Sequence, residues 1–378
     1  MSSPGGFEQT LPDWRELYAR RTDRAAGKEE ILRILGKDRI SPEDLALLLS
    51  PSAESCLEEM AVRARELTLC HFGRALHIYA PLYLADYCVN RCLYCGFSAS
   101  RSRPRRRLEP DEIRRQGEIL ADRGIRQLLL LTGEDPRRSS VSYLEEAVSL
   151  LAGRFGTIGI EVYPLDVEEY RRIIAAGADS MTVYQETYNR ELYEHLHPAG
   201  PKRDYSRRLG TPERAGEAGF RQIGIGALLG LDDWRREVFL MALHGSYLQK
   251  AYPGVELSLS FPRLRPEPGG YRADYPVNDR NLVQALLACR LFLPRAGISL
   301  STRESAELRD HLLPLGITRL SAGSSTVVGG YGQEEAPEEG QFETSDKRSI
   351  DEMRALLVSR GFQPVFQDRI GAAAGGRG

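Results

Sequence analysis

The feature that most restricts the fold of this chain is a repeated alternation of short apolar runs with amphipathic stretches from about residue 75 onward. The stretches Asp111–Arg123, Val167–Ala176 and Asn278–Leu293 have helical spacing. Gly124 and Gly177 directly follow two of these stretches, and glycine is common at the position where a helix ends. The apolar runs are Leu76–Leu84, Gln127–Leu131, Ile158–Tyr163, Ser180–Tyr184, Gln222–Leu229, Glu256–Phe261, Ile298–Ser301 and Arg319–Ala322.

Eight strands that alternate with helices predict a parallel sheet with right-handed crossovers. We therefore expect an α/β fold, a (β/α)8 TIM-type barrel with an N-terminal helical extension. An open doubly wound sheet is the alternative, and it is disfavoured because no G-x-G-x-x-G segment opens a helix. The length of 378 residues suits a barrel with added helices.

Three regions follow from this pattern: an N-terminal helical extension over 1–74, the barrel over 75–332 and a C-terminal region over 333–378. In the extension, Ser41 is a candidate N-cap before a helix, and Ser52–Leu69 is a longer amphipathic segment. The C-terminal region begins with an acidic segment and continues into a predicted helix near Ile350–Ser359. It ends in a Gly- and Ala-rich stretch, Gly371–Gly378, which predicts disorder.

Composition excludes several classes of protein. The net charge of −2 gives no global nucleic-acid footprint. No run approaches the roughly 20 apolar residues of a membrane span, and the first residues show no secretory signal. We expect a cytoplasmic, reducing location with no membrane and no nucleic acid as partner. In such a compartment, clustered cysteines indicate metal or redox chemistry rather than disulfides.

Three of the six cysteines, Cys88, Cys92 and Cys95, lie within eight residues and directly follow the first predicted strand. In a barrel this position lies on the C-terminal face, where active sites occur. A Cys-x3-Cys-x2-Cys loop can direct three thiolates to an iron–sulfur cluster and leave one iron open for a small molecule. A structural zinc site is the alternative, but such sites use four ligands and no second cysteine pair is present.

This triplet, with the aromatic Tyr94 before its last cysteine, resembles the radical S-adenosylmethionine superfamily. The resemblance implies a [4Fe-4S] cluster on the three cysteines and S-adenosyl-L-methionine on the open iron. A reduced cluster then generates the 5′-deoxyadenosyl radical, and the protein orients the reactants.

Five segments are Ser260–Pro266, Ser299–Ser305, Ser321–Ser324, Ala80–Leu84 and Val183–Tyr188. Together they resemble the aromatic amino acid lyase branch of that superfamily, most closely its tyrosine lyases of thiamine biosynthesis. That branch implies cleavage of the Cα–Cβ bond of L-tyrosine to 2-iminoacetate (dehydroglycine) and p-cresol. The segment after the second strand offers a glycine for close approach and a carboxylate for an ammonium group. By resemblance, the expected cofactor-binding residues are Tyr94, Gly133, Glu134, Glu161, Gln185, Glu186, Arg207 and Gly226, and the expected substrate-binding residues are Tyr83, Arg303 and Ser321.

The resemblance also implies two kinds of protein partner, a thiazole synthase that receives the product and a flavodoxin or ferredoxin that donates electrons. The basic run Arg101–Arg107 is either a solvated loop or a docking patch for such an acidic donor. His195 and His197 are candidates for proton transfer near the substrate phenol, although no catalytic residue is assigned.

Two other functions stay open. A tryptophan-cleaving relative shares the barrel and the carboxylate clamp. A non-catalytic iron–sulfur or zinc protein is a hypothesis from a different class, and the open iron argues against it. A relative that matures hydrogenase carries a second cluster on a C-terminal extension, and it is disfavoured because no cysteine follows Cys289.

Overall fold

The computed structural model describes residues 6–22, 26–266, 270–332 and 340–367. The acidic residues Glu334, Glu335, Glu338 and Glu339 and the Gly371–Gly378 end lie outside the described residues.

Eight parallel strands form a closed barrel, which confirms the predicted α/β fold of (β/α)8 TIM type. Each strand pairs with the next, β8 pairs with β1 and β1 also pairs with β2, so no edge of the barrel remains open. The strands are β1 (Ala75–Ala85), β2 (Gln127–Thr132), β3 (Thr157–Glu161), β4 (Ser180–Glu186), β5 (Gln222–Ala227), β6 (Glu256–Ser260), β7 (Gly297–Leu300) and β8 (Arg319–Ser321).

Helices precede and surround this barrel. The N-terminal extension contains four of them, α1 (Leu11–Thr22), α2 (Lys28–Leu35), α3 (Pro42–Leu48) and α4 (Leu57–Phe72). The helices that follow the strands are α5 (Pro110–Asp122), α6 (Val141–Ala152), α7 (Val167–Ala175), α8 (Arg190–Leu196), α9 (Tyr205–Leu209), α10 (Thr211–Ala218), α11 (Trp234–Ala251), α12 (Asp279–Phe292) and α13 (Ala306–Leu312). Short 3-10 turns cover Phe7–Thr10, Pro51–Cys56, Pro201–Arg203 and Leu313–Leu315.

The local signals for helix starts are realised in the structure. Ser41 caps α3, because its hydroxyl accepts from the amide of Asp44 while the Asp44 carboxylate accepts from the amide of Ser41. The extension packs on the barrel through α12 and α11, with Leu45, Leu47 and Leu48 fully buried. These residues share one continuous hydrophobic core with the barrel strands.

One strand was not predicted from the sequence. After α14 (Ile350–Ser359), residues Gln363–Val365 form β9, which pairs in parallel with the first residues of β1. With three residues, the strand is too short for its period to be read. Within the part of the chain that the structure describes, no helix is both long and apolar enough to cross a membrane.

Candidate active site

A cavity opens among the loops that follow the C-terminal ends of the strands, the face where barrel active sites occur. Cys88, Cys92 and Cys95 line one side of it. All three are free thiols. Burial raises the pKa of Cys88 to about 11 and holds the pKa of Cys92 well above its usual range. The thiols of Cys88 and Cys92 are therefore protonated at neutral pH unless a cation displaces the protons.

The cysteine loop is held on both sides by neighbouring backbone. The amide of Val89 donates to the carbonyl of Glu134, and the amide of Arg91 donates to the carbonyl of Ala199. A Cβ on Gly133 would lie 2.3 Å from the carbonyl oxygen of Tyr87, so this close approach requires glycine. Gly133, directly after the second strand, thus allows the backbone of the cysteine loop to pack closely against it.

The three thiols fit an iron–sulfur cluster better than a single metal ion. Among the residues that the structure describes, no three His, Cys, Asp or Glu side chains converge as ligands of one ion. The cysteines of a cubane bind three different irons and therefore stand further apart than the ligands of one ion. A set of three thiolates also leaves one iron open to a second ligand.

Two carboxylates and two cations form a buried network beside the cysteines. The Arg208 guanidinium donates to Glu134 at 2.7 Å, and the Lys202 ammonium donates to Glu186 at 2.8 Å. Arg208 also lies 3.4 Å from Glu186 and donates to the carbonyl of Tyr184. Burial raises the pKa of each carboxyl, but the charges of Arg208 and Lys202 outweigh burial and hold both pKa values below the usual range. The network is therefore ionised at neutral pH.

Asn90, within the cysteine loop, ties this network to the cysteines. Its amide group donates to Glu134 at 2.7 Å, and its side-chain oxygen accepts from the backbone amide of Lys202 at 2.9 Å. Neither Asn90 nor Lys202 was predicted from the sequence as a site residue. Lys202 lies in a Pro/Gly-flanked turn far from any strand end, so no local signal marked it as a site residue.

Glu186 reaches the cavity because the backbone of β4 is distorted there. The strand pairing shifts between Tyr184 and Glu186, and Glu186 has φ of 69°, the only positive φ of a non-glycine among the described residues. The buried Glu237 holds the following turn by accepting from the Thr187 hydroxyl at 3.0 Å and the Tyr188 amide at 2.7 Å. Strain of this kind persists only where the surroundings enforce it.

Tyr94 is fixed by a histidine. Its hydroxyl lies 2.7 Å from Nε2 of His197, whose Nδ1 lies 2.6 Å from the carbonyl of Tyr193. Burial lowers the pKa of His197 to about 3, so the ring is neutral, with Nδ1 donating and Nε2 accepting from Tyr94. His197 therefore orients Tyr94 and is not itself part of the cavity wall.

The expected substrate residues line the same cavity. Tyr83, Arg303 and Ser321 all contribute to its wall. Ser321 accepts from the amide of Thr302 at 3.1 Å, which joins the ends of β7 and β8. Glu161 is also in the wall, and burial raises its pKa to about 7 despite the nearby charge of Arg303.

Three of the expected cofactor-binding side chains do not line the cavity. Arg207 faces outward, with one bond to the carbonyl of Pro164 and an ion pair with Asp166 at 3.1 Å. Consecutive helical residues point about 100° apart, so the neighbouring Arg208 turns inward instead. Gln185 is buried on the other face of β4, as strand alternation requires.

Gly226 acts through packing. A Cβ at this position would lie 2.6 Å from the ring of Tyr184, so the glycine makes room for a tyrosine that does line the cavity. Arg263 and Arg265 both pair with the buried Glu304, which gives them a structural role at the rim.

The basic run Arg101–Arg107 is folded back onto the cysteine loop. Arg105 donates to the carbonyls of Asp86, Phe97 and Ser98 at 2.8, 3.0 and 2.8 Å, and to that of Arg101 at 3.3 Å. Arg103 pairs with the buried Asp86 at 3.0 Å. Neither a solvated loop nor a free docking patch describes these two side chains.

Comparisons with known proteins agree with this geometry. The model of the Radical SAM superfamily matches residues 82–243, and that of the Biotin and Thiamin Synthesis associated domain matches residues 260–363. The 2-iminoacetate synthases of Salmonella typhimurium and Escherichia coli are each 40% identical over 357 residues, which cover 94% of this chain and 94% of the relative. A crystal structure of HydG, a maturase of the [FeFe]-hydrogenase, superposes with a TM-score of 0.88 at 33% identity and covers 94% of this chain and 80% of that chain.

Proposed function

Because the chain belongs to the radical S-adenosylmethionine superfamily and, within it, to the family of the 2-iminoacetate synthases, we propose that it cleaves the Cα–Cβ bond of L-tyrosine. The products are 2-iminoacetate and p-cresol, and 2-iminoacetate supplies the thiazole moiety of thiamine. The enzyme is a radical carbon–carbon lyase that uses a [4Fe-4S] cluster and S-adenosyl-L-methionine.

The observation that carries this proposal is that one cavity collects two unlike sets of side chains. The cysteines and the charged network line it together with Tyr83, Arg303 and Ser321. The first set has the donors for a cluster and a zwitterion, and the second has a guanidinium for the carboxylate of an amino acid. A cavity that holds two reactants side by side places them for a direct hydrogen transfer.

On the cofactor side, Cys88, Cys92 and Cys95 would hold the cluster, which together with S-adenosylmethionine supplies a 5′-deoxyadenosyl radical when bound. Glu134 and Glu186, which are ionised and buried beside the cysteines, would accept from an ammonium group, and Arg208 would donate to a carboxylate. Tyr94, oriented by His197, presents a ring beside the cysteines.

On the substrate side, the Arg303 guanidinium would bind the tyrosine carboxylate. The substrate loses a hydrogen atom from its amino nitrogen, and its Cα–Cβ bond then breaks to give 2-iminoacetate. The remaining fragment takes up one electron and one proton and leaves as p-cresol. Glu161 is a candidate for handling a proton because its pKa of about 7 lets it exist in both forms near neutral pH.

The partners are proposed on chemical grounds. The imine product hydrolyses readily, so a thiazole synthase that receives it directly is the expected protein partner. A flavodoxin or ferredoxin is the expected electron donor, and the cytoplasm the expected location.

The test is anaerobic reconstitution with iron and sulfide, followed by incubation with S-adenosylmethionine, a strong reductant and either tyrosine or tryptophan. Formation of 5′-deoxyadenosine and p-cresol only with tyrosine supports the proposal. 5′-Deoxyadenosine without p-cresol would move the substrate to tryptophan or another molecule. Cys92→Ser is expected to lose the cluster and all products, whereas Cys70→Ser, at an exposed thiol on α4, is the matched control and should lose neither.

A further inference from the structure

The segment of residues 340–346, here called the strap, crosses the open end of the barrel. Its backbone bonds to three loops that follow different strands. The amide of Gln341 donates to the carbonyl of Thr326 at 3.4 Å, and the amide of Glu343 donates to that of Pro266 at 3.5 Å. The amides of Ser345 and Asp346 both donate to the carbonyl of Thr302, at 2.9 and 3.2 Å. The strap therefore joins the loops after β6, β7 and β8.

The strap is anchored firmly at its far end. Asp346 is buried and pairs with Arg309 of α13, itself 1% exposed, and with Arg348 at 2.7 Å. Arg309 also donates to the carbonyl of Ser321 at the end of β8. Because a buried ion pair is costly to break, this anchor fixes the position of the strap relative to the barrel.

Two strap side chains, Gln341 and Phe342, are part of the cavity wall. The side-chain oxygen of Gln341 accepts from the hydroxyl of Tyr83 at 2.9 Å, and its amide nitrogen lies 3.8 Å from Sγ of Cys95. The ring of Phe342 lies under the guanidinium of Arg303, whose central carbon is 3.3 Å from the ring centroid. Each of two expected substrate residues is thus held by a strap side chain.

The stacking on Phe342 has a specific consequence for Arg303. The N–H groups of a guanidinium lie in its plane, so a ring against its face uses none of them. Within the part of the chain that the structure describes, no carboxylate lies within ion-pair distance of this guanidinium. The ring therefore fixes the plane of the guanidinium and leaves its fork of donors available for a carboxylate.

We propose that Phe342 is a positioning residue that sets the affinity for the amino-acid substrate by orienting Arg303. This inference rests on the proposed function, in which Arg303 binds the substrate carboxylate. The effect should appear in binding of the amino acid and not in binding of S-adenosylmethionine, because the ring contacts Arg303.

The experiment compares Phe342→Leu and Phe342→Met with the unmodified enzyme, after reconstitution. Both changes keep an apolar side chain and remove the aromatic face. The expected result is a rise of about tenfold in KM for tyrosine, with kcat and the Kd for S-adenosylmethionine changed less than threefold. Phe342→Tyr, which keeps the ring, should restore the KM of the unmodified enzyme. Phe366→Leu removes a comparable stack, that of Phe366 on Arg354 at 4.6 Å, and is the matched control.

A second measurement separates positioning from general damage to the strap. In an Arg303→Gln background the Phe342→Leu change should raise KM no further, because the residue through which it acts is gone. A full tenfold effect in that background, equal effects on kcat and KM, or weaker binding of S-adenosylmethionine would overturn the inference. Failure of the proposed function would look different, since the unmodified enzyme would then make no p-cresol.

Discussion

Replacing Arg105 by alanine should loosen the cysteine loop without unfolding the barrel. Arg105 is half-buried, and three of its bonds to loop carbonyls are 3.0 Å or shorter. A charged donor in a buried hydrogen bond contributes about 1.5–3 kcal/mol, and we take about 1 kcal/mol per bond because the site is partly wet. Loss of the three bonds then costs about 3 kcal/mol locally, which raises the opening constant of the loop about 100-fold.

Hydrogen–deuterium exchange of the apo-protein measures this opening directly. The amides of Ser98 and Ala99, bonded to the carbonyls of Cys95 and Asn90, should exchange about 100-fold faster, while amides of β5 should be unaffected. Iron retained after reconstitution should fall as well. Arg114→Ala is the matched control, because among the described residues Arg114 pairs only with the exposed Asp111 on α5. Exchange within threefold of the parent in Arg105→Ala would refute the reasoning.

Arg105→Lys separates a loop clamp from an electrostatic docking patch. A lysine keeps the charge, so an electron donor attracted by charge alone would bind as before. An ammonium cannot reproduce the planar fork that donates to several carbonyls at once, so lysine should restore the slow exchange of the loop amides only in part. Full recovery of slow exchange and of iron content by lysine would therefore contradict the view that Arg105 holds the loop through its hydrogen bonds.

Two further predictions concern stability. Burial raises the pKa of Glu237 to about 7. The stability that this carboxyl contributes is therefore present below its pKa in the unfolded chain and is lost as pH rises through 7. Between pH 6.5 and 8.5 the loss is roughly 1 kcal/mol, and urea unfolding of apo Glu237→Gln should show a correspondingly flatter pH dependence. A slope equal to that of the parent would contradict this. Asp346→Ala leaves the buried Arg309 without its carboxylate and should lower the free energy of unfolding by about 3–5 kcal/mol in the same assay, and a loss below about 1 kcal/mol would argue against a buried pair.

The barrel could be predicted because its signals are local and repeated. Every predicted strand is present within about two residues, since the apolar period of a buried strand and the glycine after a helix are visible in the sequence itself. β9 was missed because a three-residue strand has no period. Its partner, β1, lies almost 290 residues earlier.

The site could be predicted only where its residues lie in a motif or at a strand end. Cys88, Cys92, Cys95 and Glu134 meet that condition, and all four line the cavity. Lys202 enters from a turn between helices, and residues 340–346 enter from beyond the eighth strand, so only the closed fold brings them in. Arg207 was expected at the site, but Arg208 lines the cavity instead. The difference is the phase of a five-residue helix, which the sequence does not reveal.

The charges of the network explain how one buried site can exist with and without a ligand. Glu134 and Glu186 carry two negative charges, and Lys202 and Arg208 carry two positive charges, so the network is neutral as a whole. An amino acid group is a zwitterion and is also neutral. An ammonium can therefore share the carboxylates, and a carboxylate can share Arg208, without leaving an unpaired charge in the interior. A site with a single acid and a single base would have to separate its own pair to bind the same group. In the proposed function, the second pair, Lys202 and Glu186, removes that cost.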